Sequence, residues 1–257
     1  MTDSPRDSPA PLWPIVSRVL RHPSRLSNIR HRESRAAFAR VVRRRIAFLT
    51  HRPTSTTWAG TEGPVDRKLF DSYDDYVDMQ RSKLAMVHTD AYDRRFAPAL
   101  RERLAALPVE WPGRSVVCLA ARHGAEVEVF QDLGAFAVGI DLNPGDDNRL
   151  VLPGDFHDVQ FPDESAQTVY CNSIDHAFDL SKMLAEVVRV LAPGGRAILE
   201  VMEGADEGGN FGRWETTRWA TVDSLVEQTV AAGLHEVGRI PMTEPWPGFQ
   251  LLLAVSD

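Results

Sequence analysis

The sequence predicts an α/β fold built on an open, mostly parallel sheet of seven strands, with an antiparallel strand at its C-terminal end and a helical extension at its N-terminus. Three observations predict it. From Ser115 onward short apolar runs alternate with helical periodicity, the pattern of strand–helix–strand units with right-handed crossovers. One segment, "LSKMLAEVVRVL", is strongly periodic at helical spacing and is followed by the helix-ending "APGG". The last two apolar runs are joined by only eight residues, "PMTEPWPG", a link suited to an antiparallel pair.

The elements follow in order. "MTDSPRDSPAPLWP" is rich in Pro, Ser and Asp, the composition of a segment without a core. "SRAAFARVVRRRIAFL" sets Phe38, Val42 and Leu49 at helical spacing with arginines opposite, an amphipathic helix. "THRPTSTTWAGTEGP" reads as a linker loop, and residues 1–62 form an Arg-rich extension. Leu69, Tyr73, Tyr76, Met79 and Leu84 recur every three or four positions, so residues 63–110 read as two or three helices. The core spans residues 111–257. Its strands are "SVVCL", "AFAVGID", "RLVLPGDF", "AQTVYCNS", "RAILEV", "HEVGRI" and "FQLLLAV". Its helices start near Gly124, near Ser181 and at "TVDSLVEQTVAAGL", the last closed by Gly233.

Composition narrows the function classes. Apolar residues make up 43% and charged residues 25%, ordinary for a globular chain. Cys118 and Cys171 lie in apolar runs and read as buried thiols of a reducing compartment, so a cytoplasmic enzyme is the expectation. No apolar run reaches the roughly 18 residues of a membrane span. The net charge of −7 divides unevenly. Residues 1–52 carry twelve arginines against three acids, and the remainder carries an excess of 16 negative charges. The basic arm has three readings: docking on its own body or on a second subunit in a homodimer, binding a polyanion, or a disordered tail.

The piece "VVCLAARHGAEVEVF" is a strand, a turn and a helix start, the place of a glycine-rich nucleotide turn. Only Gly124 is glycine there; Ala120 and Arg122 occupy two positions where glycine is usual. A pyrophosphate needs bare backbone, so the turn argues against a dinucleotide. About 20 residues on, "GIDLNP" closes a strand on Asp141.

These pieces, with "EVVRVLAPGGRAILEV" and the C-terminal strand pair, resemble the class I S-adenosylmethionine (SAM)-dependent methyltransferases, small-molecule branch, over roughly residues 112–257. The resemblance implies a Rossmann-like sheet and SAM as cofactor, held by Ala120, Arg122, Gly124, Asp141, Leu142, Asp155, Phe156 and Asn172. Asp141 would accept the ribose hydroxyls, Asp155 the adenine amino group, and Phe156 would pack on the ring. SAM carries no phosphate, so alanine at 120 is tolerable. The Arg122 guanidinium either pairs with the cofactor's carboxylate or turns to solvent and Glu126.

For chemistry, the segment "CNSIDHAFD" lacks the Asn/Asp-Pro-Pro-aromatic motif of enzymes that methylate amino groups of nucleic acids, which argues against nucleic acid as the substrate. His176, beside Asp175, is the candidate general base for a hydroxyl acceptor, with His157 the second choice. Asp175, His176 and Glu203 are candidate ligands of magnesium should the enzyme use a metal. Tyr73 and Tyr76 on a lid helix, Phe211, Trp214 and Trp246 would face a small-molecule acceptor, for which a carbohydrate is the expected class. With its arm and "NSIDHAFDL", the chain also resembles, more loosely, actinobacterial methyltransferases of methylated mannose polysaccharide synthesis. Two alternatives stand beside this reading: a nucleic-acid methyltransferase using the basic arm, and a non-catalytic fold of the same shape that binds a partner.

Overall fold

The computed structural model describes residues 58–62, 64–86 and 89–256. The amphipathic helix expected over 34–49 and most of the Arg-rich arm lie outside them. The main sheet has seven strands: β3 (Ser115–Leu119), β4 (Phe136–Asp141), β5 (Val151–Pro153), β6 (Ala166–Cys171), β7 (Leu191–Met202), β9 (Leu234–Met242) and β10 (Gly248–Val255). Their order is β5-β4-β3-β6-β7-β10-β9. β3, β4, β5, β6 and β7 run parallel, and β10 is antiparallel to both β7 and β9. The expected seven-stranded, mostly parallel sheet is therefore present, with its antiparallel strand inserted between β7 and β9.

Helices cover both faces. On one, α4 (Leu180–Val190) buries Leu180, Met183, Leu184, Val187 and Val190, the stripe its periodicity predicts. Asp179, not Ser181, caps it by accepting from the Lys182 backbone N–H at 2.8 Å. On the other face, α2 (Thr89–Ala106) presents Phe96, Leu100 and Leu104 at i, i+4 and i+8, all fully buried, to α3 (Ala125–Asp132) with Val127 and Phe130. Each such side chain stabilises the fold by roughly 1.5–3 kcal/mol relative to exposure. The "APGG" stretch does not merely end α4: it lies within β7, where the register with β6 shifts between Ala166 and Thr168.

A second sheet was not expected. The stretch read as a linker forms β1 (Trp58–Glu62), which pairs with β2 (Val65–Lys68), and β2 pairs with β8 (Thr217–Trp219) from the loop after β7. Lys68 and Arg218 both lie over the Trp58 ring, at 4.8 and 4.6 Å from its centroid. β1 pairs with β2, whose other partner lies far along the chain and leaves no local signal, so Thr, Pro and Gly content alone suggested a loop. Helix α1 (Tyr73–Met86) follows.

The connections diverge beside β3: β4 and β5 lie to one side of it, β6 and β7 to the other. The carboxyl ends of β3, β4 and β6 therefore open a crevice, the usual ligand position in such sheets. Gly139 on β4 lets the turn after β3 close on it. A Cβ there would stand 2.6 Å from the Ala121 Cβ and 2.9 Å from Val151 Cγ2. Gly139→Ala should thus cost about 1–3 kcal/mol by overpacking, measured as a lower midpoint of urea unfolding. An unchanged midpoint would show slack between β4 and the turn.

Candidate functional site

The crevice holds a pocket of about 530 Å³, counting its open mouth. Ala120 and Arg122 reach it from the turn after β3, Asp141, Leu142 and Asn143 from the end of β4, and Phe156 from beyond β5. Ser173 and His176 come from beyond β6. Helix α1 closes one side with Tyr76, Gln80 and Lys83, three residues on one helical face.

Asp141 is the fixed point. Its Oδ2 accepts the Arg122 backbone N–H at 2.8 Å and its Oδ1 accepts that of Asn143 at 2.7 Å. Each oxygen keeps a further lone pair for a donor in the pocket. The turn it holds is left-handed at two non-glycine residues, Ala120 (φ 53°) and Arg122 (φ 50°). Those are the two positions where glycine is usual, and the chain adopts the glycine conformation there at a cost of roughly 1–2 kcal/mol per residue. Gly124 (φ 99°) starts α3 and has Leu150 and Val151 against its α-carbon, outside the pocket lining.

The Arg122 guanidinium packs on α2. It lies 4.4 Å from the Tyr92 ring centroid, 5.8 Å from that of Phe96, and 3.7 Å from Asp93 Oδ1. Behind it Glu126 is fully buried with neither carboxylate oxygen hydrogen-bonded. Burial pushes its carboxyl up to about 7, against the opposing pull of Arg122. Trp246 stacks in the same column, on Tyr92 at 5.6 Å.

At the other end stands His176, on a short 3-10 turn, Ile174–His176. Its Nδ1 lies 3.0 Å from the Trp214 carbonyl oxygen, which can only accept, so Nδ1 carries a proton. Nε2 lies 2.6 Å from Lys83 Nζ and 4.0 Å from Asp175 Oδ1. Tyr76 donates its hydroxyl to the His176 carbonyl oxygen at 2.9 Å. Asp175, His176 and Glu215 bring one ligand-type atom each within 4.8 Å of one another.

Several expected residues are placed elsewhere. His157 is 2% exposed, and both ring nitrogens are taken: Nδ1 by Asp155 at 2.8 Å, Nε2 by the backbone N–H groups of Phe178 and Asp179 at 3.1 Å. It is held as a scaffold histidine, not as a free base. Asp155 is engaged by His157 and by the Tyr73 hydroxyl. Burial raises its carboxyl, but these hydrogen bonds outweigh burial and hold it below the usual range. Tyr73 thus pins α1 to the loop after β5 and does not itself line the pocket. Asn172 is buried, accepts from the Ser173 hydroxyl, and leaves the lining to Ser173. Trp214 is fully buried with Tyr76 and Met79, Phe211 packs edge-on against Trp219 at 5.0 Å, and Trp246 lies in the α2 column. None of the three lines the pocket. The third member of the cluster beside Asp175 and His176 is Glu215 instead of Glu203. Glu200 faces the α2 side, bound by Arg103, Tyr170 and Gln250. Lys83, Asn143, Ser173 and Glu215 were missed: no motif marks them, and α1 and the loop before β8 converge only in space.

Glu126 yields a pH prediction. Its folded value, about 7, lies above the usual carboxyl value, so between roughly pH 4.5 and 7 the folded state holds the proton more tightly. This group's contribution to stability is greatest below that window and falls as pH rises through it. Glu126→Gln removes the loss. The stability of the variant relative to the parent should therefore rise between pH 5 and pH 8, by about 1–3 kcal/mol. Equal pH dependence in urea unfolding would contradict the buried charge.

Comparison with known proteins agrees with this architecture. Residues 117–199 match the family model described as a methyltransferase domain. No curated protein matches the sequence. Among solved structures, the chain is similar to Burkholderia thailandensis 1,6-didemethyltoxoflavin-N1-methyltransferase with bound 1,6-didemethyltoxoflavin and S-adenosylhomocysteine. The TM-score is 0.55 at 16% identity, covering 79% of this chain and 100% of the other. It is also similar to a chain from the complex of the Haloferax volcanii Trm112 methyltransferase activator with a methyltransferase, at TM-score 0.52 and 22% identity, covering 74% of this chain and 99% of the other. Residues 117–199 thus match a methyltransferase domain, and the two solved structures share the fold of the chain.

Proposed function

We propose that the protein transfers the methyl group of SAM to a hydroxyl of a small molecule, with a sugar or oligosaccharide as the acceptor class. The observation that carries the cofactor half is Asp141: a nearly buried carboxylate at the end of β4, aimed by two backbone amides, with lone pairs left for the ribose diol. Phe156, in the lining, offers an apolar face to the adenine. Leu142 and Ala120 supply apolar wall, and the Arg122 guanidinium is the cation nearest the turn for the methionyl carboxylate.

When bound, SAM supplies an electrophilic methyl group for an in-line displacement. The chain's own part is to align the acceptor and take its proton. His176 is suited to this because the Trp214 carbonyl fixes the tautomer, leaving the lone pair on Nε2 beside the pocket. Lys83 occupies that lone pair at rest, so an acceptor hydroxyl gains it as the lysine moves aside. Asp175 faces the same nitrogen and favours the imidazolium that results. The carbohydrate reading now rests on the sequence resemblance and on the polar group set of Gln80, Asn143 and Ser173 in the lining, since the tryptophans are packed elsewhere.

Calorimetric titration with S-adenosylhomocysteine tests the cofactor half. Asp141→Ala should weaken binding by about 100-fold or more, two charge-assisted hydrogen bonds being lost. Arg122→Ala should weaken it as well if the guanidinium reaches the carboxylate; unchanged affinity would assign that side chain to packing alone. His176→Ala should keep S-adenosylhomocysteine affinity within a few-fold while methyl transfer to hydroxylated acceptors is lost. Turnover at the parental rate in that variant would remove His176 from the proton path.

A further inference from the structure

We infer that Asp175, His176 and Glu215 form a binding site for one divalent transition-metal ion, for which the Lys83 ammonium is the resident stand-in. The inference deepens the reading of this cluster as the acceptor end of the pocket, and rests on it for any role in catalysis.

Four observations carry it. The three side chains come from two separate segments, one after β6 and one before β8, yet bring a nitrogen and two carboxylates within 4.8 Å of one another. Ligands about a metal at bond lengths near 2.0–2.2 Å stand roughly 3–4 Å apart, so a modest contraction suffices. Second, Glu215 is 1% exposed and neither of its oxygens has a hydrogen-bond partner. A buried carboxylate without a partner is costly, and a cation removes that cost. Third, His176 has the posture of a metal ligand: its Nδ1–H donates to a backbone carbonyl, and Nε2 is turned towards Asp175. Fourth, the site already attracts a cation, since Lys83 Nζ lies 2.6 Å from Nε2.

The two segments are pinned to each other. The Thr216 N–H donates to the Asp175 carbonyl at 2.7 Å, and the hydroxyls of Thr216 and Thr217 both donate to the Ala177 carbonyl at 2.7 Å. Such a frame fixes ligand backbones before the ion arrives. One imidazole with two carboxylates favours manganese, cobalt or zinc over magnesium, which prefers oxygen alone. The Nε2 lone pair serves one partner at a time: the Lys83 ammonium, an acceptor's proton, or the ion. A bound ion therefore ends the role of His176 as a base and would itself acidify an acceptor hydroxyl.

Co²⁺ titration of the untagged full-length chain, followed by visible absorption and competed with Zn²⁺, tests the site. The parent should take up one Co²⁺ per chain. Lys83→Met should bind it about tenfold or more tightly, because the competing cation is gone. Glu215→Gln and Asp175→Asn should each bind it about tenfold or more weakly. Circular dichroism and S-adenosylhomocysteine titration on every variant separate loss of the ion from loss of the fold, and a failure of cofactor binding from a failure of this site. The inference is overturned if neither the parent nor Lys83→Met binds Co²⁺. It is equally overturned if uptake is indifferent to Lys83→Met and to a folded Glu215→Gln, which would put the ion at other histidines.

Discussion

Two backbone amides on one carboxylate organise the pocket. Asp141 ends a strand, and its oxygens tie the turn after β3 to the loop after β4. That tie joins the backbone bonds from Ala121 N–H to the Ile140 carbonyl and from Gly124 N–H to the Ala121 carbonyl in holding the left-handed backbone at Ala120 and Arg122, which side chains resist. The carboxylate offsets that strain with charge-assisted hydrogen bonds, each worth roughly 1.5–3 kcal/mol. The turn therefore keeps the path of a glycine turn without its glycines. Gly139, two residues upstream on the same strand, supplies the clearance that lets it close.

The pocket that results is bipolar. One end is bounded by Arg122, whose guanidinium packs, behind the lining, on the stacked rings of Tyr92, Phe96 and Trp246, with Glu126 buried near it. The other end is polar and closely linked: Lys83, His176, Asp175 and Glu215, roofed by Tyr76. Helix α1 borders the pocket with Tyr76, Gln80 and Lys83, which share a face, and Lys83 reaches the polar end. Tyr73, one turn earlier, fastens that helix to Asp155.

Much of the sheet was legible because its signals are local. Apolar runs, the stripe of α4 and the acid closing "GID" each sit within a few residues, so strand identity and Asp141 follow from periodicity and spacing. What was not legible depends on distance. β2 finds its partner β8 far along the chain, β1 pairs with β2, and Lys83 meets His176 across 93 positions. The tryptophans misled for the opposite reason. An aromatic in a loop after a strand looks like a ligand platform, yet Trp214 fills the space beneath α1 and lends the site only its carbonyl. His157 misled likewise: imidazole beside a carboxylate is equally the signature of a scaffold node when backbone amides take its other nitrogen.

The division between the two ends also follows the extent of the matched segment. The segment that matches a methyltransferase domain, residues 117–199, contains the turn, Asp141, Phe156 and His176, but stops before Glu215 and begins after Tyr76, Gln80 and Lys83. The polar end is thus supplied in part from outside that segment, by a helix ahead of it and a loop behind it, braced by the small sheet of β1, β2 and β8. Likeness over that segment therefore bears on Asp141 and its turn and is silent on Lys83 and Glu215. A change confined to helix α1 or to the loop before β8 can therefore alter the polar end without touching the turn that Asp141 holds.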